Sequence, residues 1–488
     1  MTPLSILSVT SEMFPLIKTG GLADVAGALP AALRAEGVTV HTLLPGYPAV
    51  KRALTSAQTV LDLSAPFGRE ARILAGTAGG LSLFVLDAPD LFDRPGTPYA
   101  GPDGADWPDN GLRFGTFCRA AAELAGGAVE GFRPDLVHCH DWQAGLVPAY
   151  LRYGERGGPP SIMTIHNIAF QGQMPPDILP WLGLPTRAYS VEGIEYFGRI
   201  GFLKASIRLA DRVTTVSPSY AREIRWPEFG MGLEGLIRAR GQDVVGILNG
   251  IDTGVWDPAA DTAIASGFDP VTLYKRKPNK PAVLSRFGLD PASERPLLGV
   301  VSRLTWQKGI DLLVEALPTV LGLDCDLVVL GAGDATLQEA LSAAATRHPD
   351  RIGVEIGYDE ALAHQIQAGA DAILVPSRFE PCGLTQLCAL RYGAIPVAGR
   401  VGGLADTIID TNEMAKVAGV GTGVLFSPVT KDTLDQALVR TAELYRDPQV
   451  WRRIQSNAMR TDVSWAGPAA AYAGLYRSLA RQTRAAVR

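Results

Sequence analysis

Short apolar runs recur along the whole chain, separated by helical patterns. In the first half they are Leu4–Val9, Leu81–Leu86, Leu136–Cys139, Ile162–Ile165, Val213–Val216 and Val244–Leu248. In the second half they are Leu297–Val301, Leu327–Leu330, Ile352–Glu355, Ala372–Val375 and Ile395–Ala398. Most are rich in β-branched residues and continuous, not alternating. A strand covered on one face alternates apolar with polar; a strand covered on both does not. The runs therefore predict parallel sheets flanked by helices on both sides. Intervening helices are predicted over Gly21–Glu36, Ile310–Leu321, Ala335–His348, Ala361–Ala368 and Thr385–Tyr392.

The elements fall into two α/β blocks, 1–245 and 246–465, with the turn-rich string NGIDTGVWDP, starting at Asn249, near the junction. The last segment, Ala469–Arg488, reads as one Ala-rich helix with Tyr472, Leu475, Tyr476 and Leu479 on one face. Such a face must dock on a domain, and the pattern does not say which. The expected fold is α/β, two Rossmann-like doubly wound parallel-sheet domains. Ligands of such sheets lie beyond the carboxyl ends of the strands. With two such domains, the expected site is the cleft between them.

Composition narrows the function classes. A chain of 488 residues exceeds one ordinary core, and 47% hydrophobic with 19% charged residues is globular composition. The formal net charge of -5 implies no broad basic surface, which argues against a nucleic-acid partner. An anionic ligand would have to be held by a few local cations. Cys118, Cys139, Cys325, Cys382 and Cys388 are scattered and form no C-x-x-C, unlike a secreted disulfide framework. No window has the apolar length of a membrane span, and no basic leader precedes a long apolar run. A cytoplasmic enzyme without a membrane partner is expected.

Candidate chemistry clusters just after predicted strands. Lys18–Asp24 (KTGGLAD) follows the first strand and opens a helix, so two glycines, free N–H groups and a lysine could cradle a diphosphate. A plain helix-start turn with a solvated lysine is the alternative. Neither the P-loop nor the dinucleotide G-x-G-x-x-G string is matched. Arg303 and Lys308 lie beyond the strand Leu297–Val301, where two cations suit a departing diphosphate. Without an anion they would sit badly against a helix start. Glu380 precedes Gly383–Thr385, a further helix start; it binds sugar hydroxyls or developing positive charge, or simply caps the helix. His166 and Asn167 follow another strand. His138, Cys139, His140 and Asp141 resemble a metal cluster, but alternation puts Cys139 on the opposite face from both histidines, so sugar-binding polar groups are the better reading. Asp324 and Asp326 form a D-x-D string at the wrong end of a strand and read as a solvated turn. Gly331, in LGAGD, lies at the right end to approach a nucleotide.

In family order across nearly the whole chain, these strings resemble bacterial glycogen synthases and plant starch synthases. The matching strings are SEMFP from Ser11, KTGGLADV from Lys18, DWPDN from Asp106 with Arg113 and Phe114, HDW from His140, TIHN from Thr164 and VSP from Val216. They continue with LNGID from Leu248, SRLTWQKG from Ser302, LGAGD from Leu330, IGYDE from Ile356, EPCGLTQ from Glu380, and Ser464 with Trp465. Gln143 departs from the histidine many members carry after Asp-Trp. The resemblance implies a GT-B fold, with the last helix (about 466–488) crossing back to the first domain. It also implies retention of the α configuration, no metal or other cofactor, ADP-glucose as donor and an α-1,4-glucan (glycogen or a maltooligosaccharide) as acceptor. Under it, Lys18, Arg303 and Lys308 hold the diphosphate, Gly21, Leu384 and Thr385 offer backbone donors, and Tyr358 lines the adenine pocket. Asp24, His166, Asn249 and Glu380 face donor glucose or acceptor, and Asp141 lies toward the acceptor. Asn167, Gly331, Cys382 and Gly383 complete the substrate-binding set, and Ser11 and Glu12 give support from behind. His166, Glu380, Arg303 and Lys308 form the catalytic group.

Three other readings compete. A nicotinamide oxidoreductase lacks its glycine fingerprint here. A non-catalytic glucan-binding protein would not need Lys18, Arg303, Lys308 and Glu380. A sister transferase using UDP-glucose or a small acceptor differs only at a few pocket side chains.

Overall fold

The apolar runs become the central strands of two sheets in the computed structural model, which describes residues 3–64 and 68–486, with side chains through residue 482. The chain divides into two compact units: Met1–Asn249 with Trp465–Arg488, and Gly250–Ser464.

The first unit holds strands β1 (Leu4–Val9), β2 (Val38–Pro45), β3 (Thr55–Asp62), β4 (Arg72–Ala78), β5 (Leu81–Asp87), β6 (Leu136–His140) and β7 (Ser161–Ile165). It continues with β8 (Gln173–Met174), β9 (Glu195–Tyr196), β10 (Arg199–Gly201), β11 (Arg212–Thr215) and β12 (Val244–Gly246). The main sheet runs β12-β11-β7-β6-β1-β2-β5-β4-β3, and β8, β10 and β9 form a small separate sheet. The pattern predicted a parallel sheet, and the main sheet departs from that at one edge, where β4 runs antiparallel to both β3 and β5. β3 is almost wholly exposed, so its residues (TSAQTVLD) need no apolar run and leave no signal.

The second unit holds β13 (Leu297–Val301), β14 (Asp326–Gly331), β15 (Ile352–Ile356), β16 (Ala372–Val375), β17 (Ile395–Gly399) and β18 (Val424–Phe426). Their order, β15-β14-β13-β16-β17-β18, is all parallel and reverses direction between β13 and β16. Alternate residues serve opposite cores. Leu298, Val300, Leu327 and Val329 pack under the helices Ile310–Gly322 and Lys431–Tyr445. Leu297, Val328, Leu330 and Ile373 pack under Asn279–Arg286 and Glu360–Gly369. At Gly299 a Cβ would lie 2.7 Å from Ile366 Cγ2, so the missing side chain lets that helix press onto the sheet.

The terminal helix, Ala466–Ala486, belongs to the first unit. Trp465, Tyr472, Tyr476 and Leu479 share a core with Ile6, Val25, Leu29, Leu136 and Ile162. The last two positions of the predicted helix, 487 and 488, lie outside the described residues.

The D-x-D string needs correcting. Asp324 is 73% exposed, but Asp326 is 1% exposed and opens β14. Its carboxylate accepts from Arg351 Nε at 3.0 Å and Ser293 Oγ at 2.5 Å, with Arg295 Nη1 at 3.5 Å. This carboxylate ties three segments together at the amino end of the sheet, so it is structural and not solvated. Asp326→Ala should cost about 3 kcal/mol, because it removes the buried carboxylate and leaves Arg295 and Arg351 only exposed Asp324 as a carboxylate partner. Asp324→Ala should cost less than about 0.5 kcal/mol. Denaturant unfolding of both variants checks this; equal losses would refute the distinction.

Candidate functional site

Strand order reverses in each unit, and each reversal leaves loops diverging at the carboxyl ends of two neighbouring strands. In the first unit these strands are β1 and β6; in the second, β13 and β16.

After β1 the chain turns back before the helix Gly21–Ala35. Buried Glu12 holds this turn: it accepts from the Thr19 N–H, from Thr19 Oγ1 at 2.6 Å and from the Tyr99 hydroxyl. Ser11 Oγ meets the same Tyr99 hydroxyl at 2.9 Å. The helix presses on the turn through Gly27, whose Cβ would lie 2.4 Å from the Phe14 carbonyl oxygen. On this frame Lys18 Nζ sits 2.8 Å from Asp24 Oδ1 and 5.2 Å from the centre of the Phe14 ring. The helix start at Gly20–Gly21 has no side-chain cap. Its first-turn amides and the lysine thus share one end, an arrangement suited to an anion.

After β6, Asp141 adopts φ 56° and ψ -175°, a costly backbone for a residue with a side chain. That conformation turns its carboxylate under the residues following β7. Asp141 Oδ1 accepts the His166 N–H at 2.7 Å, and the Asn167 N–H also bonds to the carboxylate. Burial pushes the Asp141 pKa up to about 7, although the two amides pull the other way. The His166 ring meets His140 through Nε2 and Nδ1 at 3.0 Å. Burial drives the His166 pKa well down and takes His140 to about 3, so both rings are neutral near pH 7. The Asn167 side chain closes its own turn by accepting from Ala169 N at 3.0 Å. Asn249, at the end of this unit, is buried, with Oδ1 unpartnered among the described residues.

In the second unit the loops after β13 and β16 are stitched together. Arg378 clamps Asp311 with bonds of 2.7 and 2.6 Å and lies 4.5 Å from the Trp306 ring. The Arg378 N–H donates to the Gln307 carbonyl at 2.9 Å. At Gly309, φ is +67° and a Cβ would lie 2.0 Å from the Pro376 carbonyl oxygen, so only glycine fits. Lys308 Nζ then reaches Glu380 Oε2 at 2.5 Å, and Ser377 Oγ donates to the same oxygen at 2.9 Å. The Glu380 carbonyl is backed by Gly402 and accepts from Gly403 N at 3.1 Å. Arg303 is exposed, and its guanidinium has no partner among the described residues.

Cys382 is buried, and Gly383 takes φ +74°. Gln386 Nε2 fixes both by donating to their carbonyls at 3.0 and 2.9 Å. Leu384 begins the helix Thr385–Tyr392 without a side-chain cap, and Thr385 Oγ1 donates to the Val301 carbonyl at 3.3 Å. Gly331, at the end of β14, lies where a Cβ would meet the Ser302 carbonyl oxygen at 2.0 Å. Gly357 N donates to the Gly331 carbonyl at 3.0 Å, placing neighbouring Tyr358 at the same strand ends. Tyr358 is 73% exposed and bonds to the Glu360 carboxylate.

Within the second unit the structure therefore gathers Arg303, Lys308, Gly331, Tyr358, Glu380, Cys382, Gly383, Leu384 and Thr385 at one set of strand ends. Within the first it gathers Lys18, Gly21 and Asp24 on one loop and helix, and Asp141, His166 and Asn167 on two adjacent strand ends. Asp141 braces the His166 amide, a role beyond the acceptor-side position the resemblance implied. Ser377 and Tyr99 went unread in the sequence, and Gln386 was read only as the end of the string EPCGLTQ. A hydroxyl just past an apolar strand flags Ser377; nothing local flags Tyr99, which is 87 residues from Glu12.

The raised Asp141 pKa has a signed consequence. From about pH 4 to about pH 7 the folded protein keeps this proton while the unfolded chain has lost it, so stability falls as pH rises through that window. Relative to Asp141→Asn, the wild type should lose up to about 4 kcal/mol across it. Chemical denaturation of both proteins at several pH values checks this; a pH-independent difference would refute it.

Residues 5–239 match the family model for the starch synthase catalytic domain, and residues 284–459 match glycosyl transferases group 1. The chain is 59% identical to a glycogen synthase of Rhodopseudomonas palustris, over 98% of this chain and 99% of that protein. It is 58% identical to a glycogen synthase of Methylocella silvestris, over 99% of this chain and 100% of the relative. The catalytic domain of starch synthase IV from Arabidopsis thaliana, bound to ADP and acarbose, superposes with a TM-score of 0.87 at 32% identity, covering 98% of this chain and 99% of that one. A sucrose-phosphate synthase from Thermosynechococcus elongatus shares the fold, with a TM-score of 0.60 at 19% identity and coverage of 98% and 99%.

Proposed function

The chain belongs to the glycogen synthase and starch synthase family of GT-B glycosyltransferases, and from that premise we propose that it moves glucose from ADP-glucose to the non-reducing 4-hydroxyl of an α-1,4-glucan with retention of configuration. The enzyme is a hexosyltransferase. One observation carries the finer reading: Lys308 and Glu380 are paired beside an uncapped helix start where the sheet order reverses. An arriving diphosphate offers Lys308 a stronger partner and frees the Glu380 carboxylate to face the sugar. Arg303, Lys308 and Lys18 hold the diphosphate, and the amides of Gly21, Leu384 and Thr385 add neutral donors. Tyr358 packs on the base. The ADP in the Arabidopsis starch synthase supports adenine as that base.

The reaction is a front-face displacement. The bond from the anomeric carbon to the diphosphate oxygen breaks as the acceptor oxygen bonds to that carbon on the same side. The hydroxyl proton passes to the departing diphosphate oxygen. Charge building on the sugar ring is met by the His166 backbone, held by Asp141, and by Glu380. Charge building on the diphosphate is met by Arg303 and Lys308, so side chains supply the positive charge and no metal or cofactor is assigned. Among the described residues no helix is long and apolar enough to cross a membrane.

Arg303→Ala or Lys308→Ala should lower kcat by roughly 10²–10³, as lost stabilisers of a charged transition state do. A transfer assay with glycogen reads this, run with ADP-glucose and UDP-glucose and repeated with chelator. Chelator-insensitive transfer from ADP-glucose is expected. Strict metal dependence, preference for UDP-glucose or near-normal turnover in either variant would overturn the corresponding assignment.

A further inference from the structure

The terminal helix buries two tyrosines, Tyr472 and Tyr476, in the first unit, and Tyr476 bonds to a histidine there. Tyr476, buried, places its hydroxyl 2.8 Å from His138 Nδ1 across 338 residues of sequence. The other nitrogen, His138 Nε2, lies 2.6 Å from Thr164 Oγ1, which lies 2.5 Å from Thr214 Oγ1. The His138 and His140 ring centres are 4.0 Å apart, and His140 Nδ1 meets His166 Nε2 at 3.0 Å. A continuous chain of contacts thus runs from the terminal helix to His166.

A neutral imidazole has one donor and one acceptor nitrogen, and each bond it makes decides which is which. Hydroxyls flank both nitrogens of His138 and fix the ring plane, and the phenol, a stronger acid than the Thr164 hydroxyl, is the better donor. With Tyr476 donating to Nδ1, His138 Nε2–H donates to Thr164, and Thr164 donates to Thr214. The His140 ring packs against the fixed His138 ring, with Nδ1 against His166. Burial keeps these histidines uncharged, so hydrogen bonds and not charge set their order.

We propose that Tyr476 is a positioning residue for glucosyl transfer: from the terminal helix it sets the tautomer and orientation of His138, and through His140 it orders His166. The proposal rests on the role given to His166 above. It makes docking of the final helix a condition for an ordered site, beyond its contribution to the core.

The test uses full-length Tyr476→Phe, which keeps the ring and removes the hydroxyl. Its kcat for glycogen extension should fall about tenfold, with KM for ADP-glucose within about twofold of wild type. Tyr392→Phe is the comparison, since it loses a buried hydroxyl bonded to Asp261 in the other unit, at 2.6 Å. It should lower Tm and leave kcat unchanged. In protein carrying 15N-histidine, Tyr476→Phe should change the ring-nitrogen shifts of His138 and His166. Unchanged ring shifts, an unchanged kcat, or an equal kcat loss in Tyr392→Phe would each overturn the proposal. The NMR arm does not depend on turnover, so absence of transfer in the wild type would sink the functional reading and leave the coupling measurable.

Discussion

Burial of the strands on both faces governs the rest of this protein. A strand covered on one side can turn back through a tight hairpin. A strand covered on both is reached by a crossover, and in each unit the crossovers are mostly helices. Parallel strands then all present their carboxyl ends in one direction. Where the order reverses, between β1 and β6 and between β13 and β16, the two loops diverge and leave room for a ligand. The antiparallel edge of β3 and β4 lies far from that reversal in strand order and contributes nothing to it.

The loops at these reversals are held by close backbone approach and by paired charges. Gly309, Gly331 and Gly402 each sit where a Cβ would fall 2.0 Å from a carbonyl oxygen, so the loops stack backbone on backbone. Lys18 and Lys308 are each neutralised by a carboxylate, Asp24 and Glu380. A half-buried lysine without a partner would pay a desolvation penalty, and the pairing removes most of it until an anion arrives. Arg303 is exposed and keeps its hydration instead. The histidine side follows the opposite rule. His138, His140 and His166 are too buried to carry charge, so directional hydrogen bonds order them.

Much of this was legible in sequence, because some signals are local. The runs that became β1, β5 to β7, β11 and β13 to β17 needed only continuous apolar character. Most strand ends agree within one or two residues. The loop strings at Lys18, Arg303 and Glu380 stood out because cations and glycines follow strands directly. β2 and β4 escaped because polar and small residues interrupt their apolar positions (VTVHTLLP and RILAGTA), β3 because an exposed edge strand has no apolar requirement, and β18 because three residues form no pattern. Asp326 was misread because neighbouring Asp324 is solvated, while the arginines that bury Asp326 lie 31 and 25 residues away.

The sequence by itself determined the two α/β units, the parallel character of their central strands and the loops that carry charge. Each of these depends on residues within one turn or one strand of each other. Only the tertiary structure decided that Asp141 holds the His166 amide, that Lys308 shares Glu380 with Ser377, and that Tyr476 reaches His138. Those contacts join segments up to 338 residues apart, and their geometry depends on how helices of particular shape settle on a twisted sheet. The terminal helix shows the division most directly. Its apolar face could be read from spacing, but its partner could not, because any apolar groove satisfies a stripe and only one places a hydroxyl against a histidine.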